Sequence, residues 1–222
     1  MRQVIIIIAI LIPVFLTAQK SIRFVGGLNY TRTKHTVLKY GLTADTLNII
    51  TMNKDAIILP HIGFEYDFKT YNKVSFTTGM GISMMGTAKY DTVPLQLPPK
   101  YQQRRNEDLK IIYLRIPLMV KYEVMNQLYA FVGYSFNYSI RKNQSILDAH
   151  PGTFPPEIGF IYKNYHHAAI FGLRKDWRHL SISANYHLGL SRVYDTEIFN
   201  AYSRAYLSLS GIQCSVGYKI SE

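Results

Sequence analysis

The sequence contains one cysteine and one tryptophan, and after its amino-terminal segment it has no long apolar run. Because Cys214 is the single cysteine, no disulfide can form within the chain. An exported chain without disulfides needs another source of stability, and a closed, fully hydrogen-bonded barrel provides one. The mean hydropathy of -0.02 is too low for a helical membrane protein. Membrane β-barrels have a low mean hydropathy because each strand is apolar on one face only.

The amino-terminal segment has the pattern of a secretory signal peptide. Arg2 is followed by an apolar run over residues 4–16 and then by the small residue Ala18. The run is shorter than the ~20 apolar residues of a membrane-spanning helix, so an uncleaved anchor is the less favoured alternative. We predict cleavage after Ala18, which makes residues 1–18 the signal peptide and residues 19–222 a single domain.

The stretch Lys110–Val124 alternates strictly between two kinds of side chain. One face carries Ile112, Leu114, Ile116, Leu118, Val120, Tyr122 and Val124, and the other carries Tyr113, Arg115, Pro117, Met119, Lys121 and Glu123. A period of two residues indicates a β-strand. At ~3.3 Å per residue and a tilt of about 45°, this strand is long enough to cross a hydrocarbon core. One apolar and one charged face therefore predict a barrel wall with lipid outside, and a soluble sandwich strand is the alternative.

Seven further segments have the same alternation, which gives eight predicted strands in all. The eight are Ile22–Thr31, Ile57–Phe68, Val74–Met85, Lys110–Val124, Leu128–Arg141, Tyr165–Lys175, Leu180–Ser191 and Ala205–Ile220. In the last segment the apolar positions change parity, from Leu207 and Leu209 to Ile212 and Cys214. A β-bulge near Gly211 would explain this change, because one extra residue reverses the faces of a strand.

The connections between these segments alternate between long and short. The long connections span residues 32–56, 86–109, 142–164 and 192–204, and the others are short turns. Bacterial barrels have short periplasmic turns and long external loops. The sequence therefore predicts an all-β fold: an eight-stranded antiparallel transmembrane β-barrel in the bacterial outer membrane, with four long external loops.

The net charge of +11 requires a nucleic-acid partner to be considered. Basic residues in nucleic-acid binders cluster on one face between aromatic platforms, whereas here they are scattered, so we predict no such partner. The alternation places Arg23, Arg115, Lys121, Arg141 and Arg174 inside the barrel. An eight-stranded barrel is just wide enough to be filled by side chains. We therefore expect no open pore, and we predict a paired interior network that includes Glu65, Arg115, Lys121, Glu123 and His187.

The seven histidines raise the question of a metal or a catalytic site. His166 and His167 are adjacent in a strand and point to opposite faces, which argues against a shared metal ion. We predict no metal, no cofactor and no catalytic residue. The alternative is a hydrolase-like set inside the barrel, composed of His61, Glu65 and His187 with Ser181 or Ser183.

The strand at Lys110–Val124 also carries a family resemblance. Its residues Tyr113-Leu114-x-Ile116-Pro117-Leu118, followed by Lys121-Tyr122, resemble the YLxIPLxxKY strand of the PorT-like outer-membrane β-barrel family of Bacteroidetes. The resemblance extends over the mature chain in its hairpin layout, and it implies an outer-membrane barrel in the cell envelope. The family brings no catalytic motif. Some of its members are linked to type IX secretion, and many have no assigned role.

Three functions follow from these observations. The first is a structural or interaction barrel with a filled interior, which presents its external loops and has outer-membrane lipids as partners. The second, which the resemblance implies, is an accessory component of a type IX-like secretion system, with envelope or secretion-complex proteins as partners. The third is an outer-membrane hydrolase that uses the interior histidines.

Overall fold

The computed structural model describes residues 20–40, 47–53, 55–90, 107–142, 159–198 and 203–220. The predicted signal peptide lies outside these residues. The strands are β1 (Lys20–Tyr40), β2 (Leu47–Asn53), β3 (Ile57–Tyr71), β4 (Val74–Tyr90), β5 (Glu107–Met125), β6 (Leu128–Lys142), β7 (Gly159–Tyr162), β8 (Tyr165–Trp177), β9 (Leu180–Gly189), β10 (Arg192–Ile198) and β11 (Ser203–Lys219). Among the described residues, no helix is long and apolar enough to cross a membrane.

Eight of these strands close into an antiparallel barrel. The order around the ring is β1-β3-β4-β5-β6-β8-β9-β11, and β11 pairs back onto β1. The closing ladder runs from the pair Arg23↔Lys219 to the pair Lys39↔Ser203. Closure leaves no free edge in the ring, so each wall strand pairs with a neighbour on both sides. The predicted eight-stranded antiparallel barrel is therefore confirmed.

The three remaining strands lie in connections that the sequence predicted to be long. β2 precedes β3 and pairs with β1 beyond the point where β3 begins. β7 precedes β8 and pairs with β10, which follows β9 and pairs with β11. The long connections thus start as continuations of the wall. Residues 41–46, 91–106, 143–158 and 199–202 of these connections lie outside the described part of the chain.

Three two-residue turns join neighbouring wall strands at one end of the barrel. They are formed by Asn72-Lys73, Asn126-Gln127 and Arg178-His179. Each turn holds one residue at positive φ, namely Asn72 (42°), Gln127 (57°) and Arg178 (34°). Positive φ matches the backbone of tight hairpin turns. We call this end of the barrel, which also contains the start of β1 and the end of β11, the turn end, and we call the opposite end the loop end.

Large apolar residues cover the outer face of the wall, and the buried residues, most of them polar, lie on the inner face. On β5, for example, Leu118 is 55% exposed on the outer face, whereas its neighbour Met119 is 4% exposed on the inner face. Arg23, Arg115, Lys121 and Arg174 are all buried inside, as predicted. The wall thus buries these four cations in the interior and exposes many of its large apolar side chains on the outer surface.

The predicted bulge near Gly211 is wrong. β11 keeps one register through this residue, with Thr31↔Gly211 and its neighbours paired in sequence. Leu207 and Leu209 point inward, each 1% exposed, and lie in an apolar cluster at the loop end. That cluster also contains Met85, Leu109, Ile111, Tyr113 and Val193. The interior changes from polar to apolar toward the loop end, and the strand itself stays regular.

The predicted inward position of Arg141 is also wrong. β6 pairs Ile112 with Arg141 but Tyr113 with Ser139, so Ile140 is an extra residue in a β-bulge. The bulge turns Arg141 to the outer face, where it is exposed. The alternation of β6 therefore ends one residue before the sequence pattern suggests.

Candidate functional site in the barrel interior

An ion network crosses the interior near the turn end. Its members are three cations and three carboxylates from four strands: Arg23 on β1, Glu65 and Asp67 on β3, Lys121 on β5, and Arg174 and Asp176 on β8. The charges balance, which is a condition for burying ionised groups at acceptable cost. The side chains of both arginines and of Lys121 are at most 3% exposed.

Asp67 is the centre of this network. Its Oδ1 lies 2.7 Å from Lys121 Nζ, and its Oδ2 lies 3.1 Å from Arg23 Nη1. The hydroxyl of Thr77 donates a further hydrogen bond of 2.5 Å to Oδ1. Arg174 Nη1 is 3.8 Å from the same oxygen. The Asp67 carboxylate therefore contacts side chains from four other strands: β1, β4, β5 and β8.

The network spans the full width of the barrel. Arg174 on β8 donates a hydrogen bond to Glu65 on β3, and these two strands lie opposite each other in the ring of eight. Arg23 Nη2 on β1 donates to Asp176 Oδ2 on β8 at 2.9 Å. These bonds run through the centre of the barrel, where a water channel would otherwise pass.

A second group of cross-barrel bonds meets at Gln213. Its Oε1 accepts hydrogen bonds from Arg115 Nη1 at 2.5 Å and from Asn185 Nδ2 at 3.3 Å, and it lies 3.0 Å from His187 Nε2. Arg115 is on β5 and Gln213 is on β11, which again lie opposite each other in the ring. The interior is therefore bridged at two separate levels.

The cavity beside these bonds is small. A cavity of about 20 Å³ lies beside His61, Glu65 and Arg115. Two of its lining residues, Gly63 on β3 and Gly81 on β4, are paired in the ladder and have no side chains to fill it. A volume of this size holds roughly one water molecule. Toward the loop end, the apolar cluster around Leu207 fills the interior. Side chains thus occupy the interior from the turn end to the loop end.

The structure brings together most of the predicted interior residues, although in two groups. Glu65 and Lys121 belong to the ion network, whereas Arg115 and His187 meet at Gln213. Glu123 belongs to neither group.

Glu123 instead lies at the turn end. Its Oε1 accepts a hydrogen bond of 2.9 Å from the backbone N–H of Gln127, in the turn between β5 and β6. Glu123 therefore supports a hairpin turn. The carboxylate that pairs with Lys121 is Asp67 and not Glu123.

Sequence reasoning missed two members of these networks. Asp176 lies beyond the predicted strand, which ends at Lys175, whereas β8 continues two residues further to Trp177. The alternation from Arg174 to Asp176 was the signal that could have found it. Gln213 is absent from the predicted network, although its position between the outward residues Ile212 and Cys214 places it inside.

The histidines have partners other than those of the hydrolase-like set. His61 Nε2 lies 2.9 Å from Ser215 Oγ, and His187 bonds to Gln213. Ser181 donates to the carbonyl of Gly217 at 3.4 Å. The other ring nitrogen of His61 is buried without a hydrogen-bond partner, whereas a catalytic base is normally oriented by a third group.

The adjacent histidines of β8 point to opposite faces, as predicted. His166 is 1% exposed inside the barrel, and the ring of His167 stacks on Tyr134 on the outer face. No group of three potential metal ligands occurs among the described side chains.

The predicted motif residues lie along β5. Tyr113, Pro117 and Lys121 are buried on the inner face, and Leu114, Ile116, Leu118 and Tyr122 lie on the outer face. The β4–β5 ladder is interrupted between the pairs Thr78↔Leu118 and Gly81↔Arg115. Pro117 lies in this gap and has no N–H to donate. The hydroxyl of Thr78 donates to the Pro117 carbonyl at 3.1 Å and closes part of the interruption.

The outer face has the dimensions of a membrane-spanning band. From Leu128 to Ile140, at ~3.3 Å per residue and a tilt of about 45°, β6 rises by roughly 28 Å, close to the ~30 Å of a hydrocarbon core. Exposed aromatic residues border the band, with Trp177 and Tyr218 at the turn end and Tyr138 and Tyr165 at the loop end. Aromatic girdles at both interfaces are typical of transmembrane barrels. The fold and its interior therefore define a small transmembrane β-barrel of the bacterial outer membrane.

The comparison with protein families agrees with this class. The chain belongs to the family described as outer membrane protein beta-barrel domain, whose model matches residues 17–213. No curated protein matches the chain.

Solved structures of outer-membrane barrels resemble the chain at low identity. The solid-state NMR structure of AlkL in lipid bilayers is 12% identical, covers 92% of both chains and gives a TM-score of 0.41. Neisserial surface protein A is 8% identical, with 89% of this chain and 97% of that chain covered and a TM-score of 0.36. Ail of Yersinia pestis is 10% identical, with coverages of 89% and 99% and a TM-score of 0.31.

Proposed function

We propose that this protein is a structural or interaction barrel, which acts through the surface at its loop end and conducts no solutes. The bridged interior is the observation that carries the proposal. Glu65 and Arg174 join opposite strands at one level, and Arg115 and Gln213 join opposite strands at another. A solute crossing the barrel would have to break both sets of bonds and expose buried charges without partners.

The proposal excludes enzymatic activity in the interior. His61 and His187 are buried at 8% and 2% exposure, so a substrate has no access to them. Their hydrogen bonds to Ser215 and Gln213 give each of them a role in stabilising the interior. Substitution of either histidine should therefore change stability without removing an activity.

The loop end is the surface available to partners. Short turns of bacterial barrels face the periplasm, which directs the loop end to the outside. The wall continues there as β2, β7 and β10, and the apolar cluster around Leu207 packs inside it. This end of the barrel therefore has a packed base next to the surface that we assign to partners.

The second candidate function is an accessory role in a type IX-like secretion system. The motif of β5, with Pro117 at the ladder interruption and Lys121 in the ion network, supports it through its likeness to the PorT-like family of Bacteroidetes. In this role the partners are proteins of a secretion complex in the envelope.

The test is affinity purification from the native outer membrane after chemical cross-linking. The matched control replaces residues 91–106 and 143–158 by short glycine-serine linkers and leaves all described strands intact. We expect envelope proteins to cross-link to the intact chain and to be lost from the control, and secretion-complex proteins among them would support the second function. The proposal would be wrong if both forms captured the same proteins.

A further inference from the structure

Three basic residues form a row on the outer face at the loop end. They are Lys110 on β5, Arg141 on β6 and Lys163, which lies two residues before β8. The neighbour of Lys163, Asn164, accepts a backbone hydrogen bond of 2.7 Å from Ser139 on β6, which places Lys163 beside that strand. Lys110 and Arg141 are diagonal neighbours, because Ile112 pairs with Arg141 and Lys110 lies two residues further along the same face. Such neighbours are about 7–8 Å apart, within the reach of one anionic group.

Two of these cations have no acidic partner among the described side chains. Arg141 and Lys163 are both exposed, and neither forms an ion pair. Lys110 lies 3.3 Å from Asp108, which is 39% exposed on the same face. Three cations and the carboxylate of Asp108 give the row a local charge of about two positive units. Among the residues that the structure describes, Asp108 is the only carboxylate in the row.

The bulge in β6 creates this row. If β6 were regular, with Ile140 paired to Ile112, Arg141 would pair with Ile111 and point into the apolar cluster of the interior. The bulge instead directs Arg141 outward at the loop-side limit of the membrane band, next to the rings of Tyr138 and Tyr165, whose centroids are 6.0 Å apart. The bulge therefore adds an exposed cation to the outer face at this level.

The height of the row identifies its surroundings. Tyr138 and Tyr165 pair directly across β6 and β8, and aromatic residues of a girdle lie at the level of the lipid headgroups. Arg141 and Lys163 follow them on the loop side. Cations at this level face the phosphates of the outer leaflet, and the guanidinium of arginine binds phosphate with two parallel hydrogen bonds.

We infer that this row is a binding site for the phosphorylated headgroup of an outer-leaflet glycolipid. Arg141 and Lys163 bind the phosphate, Lys110 adds a third positive charge, and the acyl chains pack on Tyr138, Tyr165 and Ile140 below. The occupant is a lipid and not a free phosphate ion, because the cations lie directly above an exposed apolar surface. This site lies on the wall, so it goes beyond the proposed interaction role of the loops.

The test measures binding of fluorescent diphosphorylated lipid A to the refolded mature chain in phosphatidylcholine nanodiscs. The variant Arg141→Gln/Lys163→Gln removes the two exposed cations. Each basic residue near a lipid surface contributes about a fivefold change in binding, so we expect a loss of roughly tenfold or more. The variant Asp108→Asn removes the competing carboxylate, and we expect it to bind more tightly than the wild type.

The matched control is Arg32→Gln/Lys34→Gln. These residues are exposed on the loop side of β1, opposite β6 in the ring, and carry the same charge. We expect less than a twofold change in this control. An equal loss in both double variants would overturn the inference, because it would mean a diffuse positive rim. Equal binding of dephosphorylated lipid A, or of phosphatidylglycerol, would also overturn it. Migration of folded and heated samples in gels confirms that each variant folds.

Discussion

The substitution Asp67→Asn tests the ion network at its centre. Asp67 lies within 2.7 Å of Lys121 and 3.1 Å of Arg23, and both cations have side chains that are 3% exposed. Removing one partner of a buried ion pair leaves an uncompensated charge and typically costs about 3–5 kcal/mol. We expect Asp67→Asn to lower the free energy of unfolding by that amount, since Glu65 and Asp176 cannot balance three cations.

The assay is reversible unfolding in urea in the presence of phosphatidylcholine vesicles. Trp177 is the single tryptophan and lies 47% exposed on the outer face, so its emission reports insertion into lipid. Glu123→Gln is the matched control, because it removes the same charge near the same end of the barrel. Glu123 makes one exposed hydrogen bond to the Gln127 backbone. We expect the control to cost less than about 1.5 kcal/mol.

The double variant Asp67→Asn/Lys121→Met measures how much the interaction between these two residues contributes to the free energy of unfolding. It removes the stranded ammonium together with the carboxylate, so its cost should be smaller than the sum of the two single costs by about 1 kcal/mol or more. Strict additivity would refute the reasoning. So would a loss in Asp67→Asn no larger than that in Glu123→Gln, since the interior would then be as well hydrated as the turn.

Three other predictions concern the wall and its turns. Leu118→Arg on the lipid face should destabilise the barrel by ~2–4 kcal/mol, while Ser183→Thr inside should cost far less, and equal costs in vesicle unfolding would contradict the assignment of the outer face to lipid. Gly217→Val should cost about 1–3 kcal/mol by overpacking, because a Cβ there would lie 2.5 Å from the Arg23 side chain; a neutral result in the same assay would contradict this contact. Arg178→Gly should stabilise the turn by about 0.5 kcal/mol, since Arg178 has a φ of 34°; thermal unfolding that shows a loss would contradict it.

The wall strands could be predicted from the sequence because lipid and a polar interior impose opposite demands on alternate residues. β5 is the clearest case, since every residue from Lys110 to Val124 follows one period. The prediction failed where the strand leaves the membrane band. On β11, Ser208 and Ser210 are outside and Leu207 and Leu209 are inside, so the polarity of the two faces is reversed there. An alternation pattern alone reads such a reversal as a bulge.

The bulge at Ile140 of β6 could not be predicted, because the sequence pattern there shows no irregularity. Ile140 and Arg141 continue the alternation of β6 in the sequence, and only the pairing of Ile112 and Tyr113 with β6 reveals the extra residue. The interior partners were also beyond reach, because the sequence gives the face of a side chain but not the distance across the barrel. Glu65 meets Arg174 on the opposite strand, and Glu123 remains at a turn.

The most direct test of the central claim is a planar-bilayer recording of the refolded mature chain. Cross-barrel bonds at Glu65 and at Gln213 close the interior at two levels, so we predict no steady conductance from the wild type. The recording requires a parallel gel that shows the folded monomer and a porin as a positive control. A steady, porin-sized current from the monomer would contradict the filled interior and the proposal that the protein acts through its loop end.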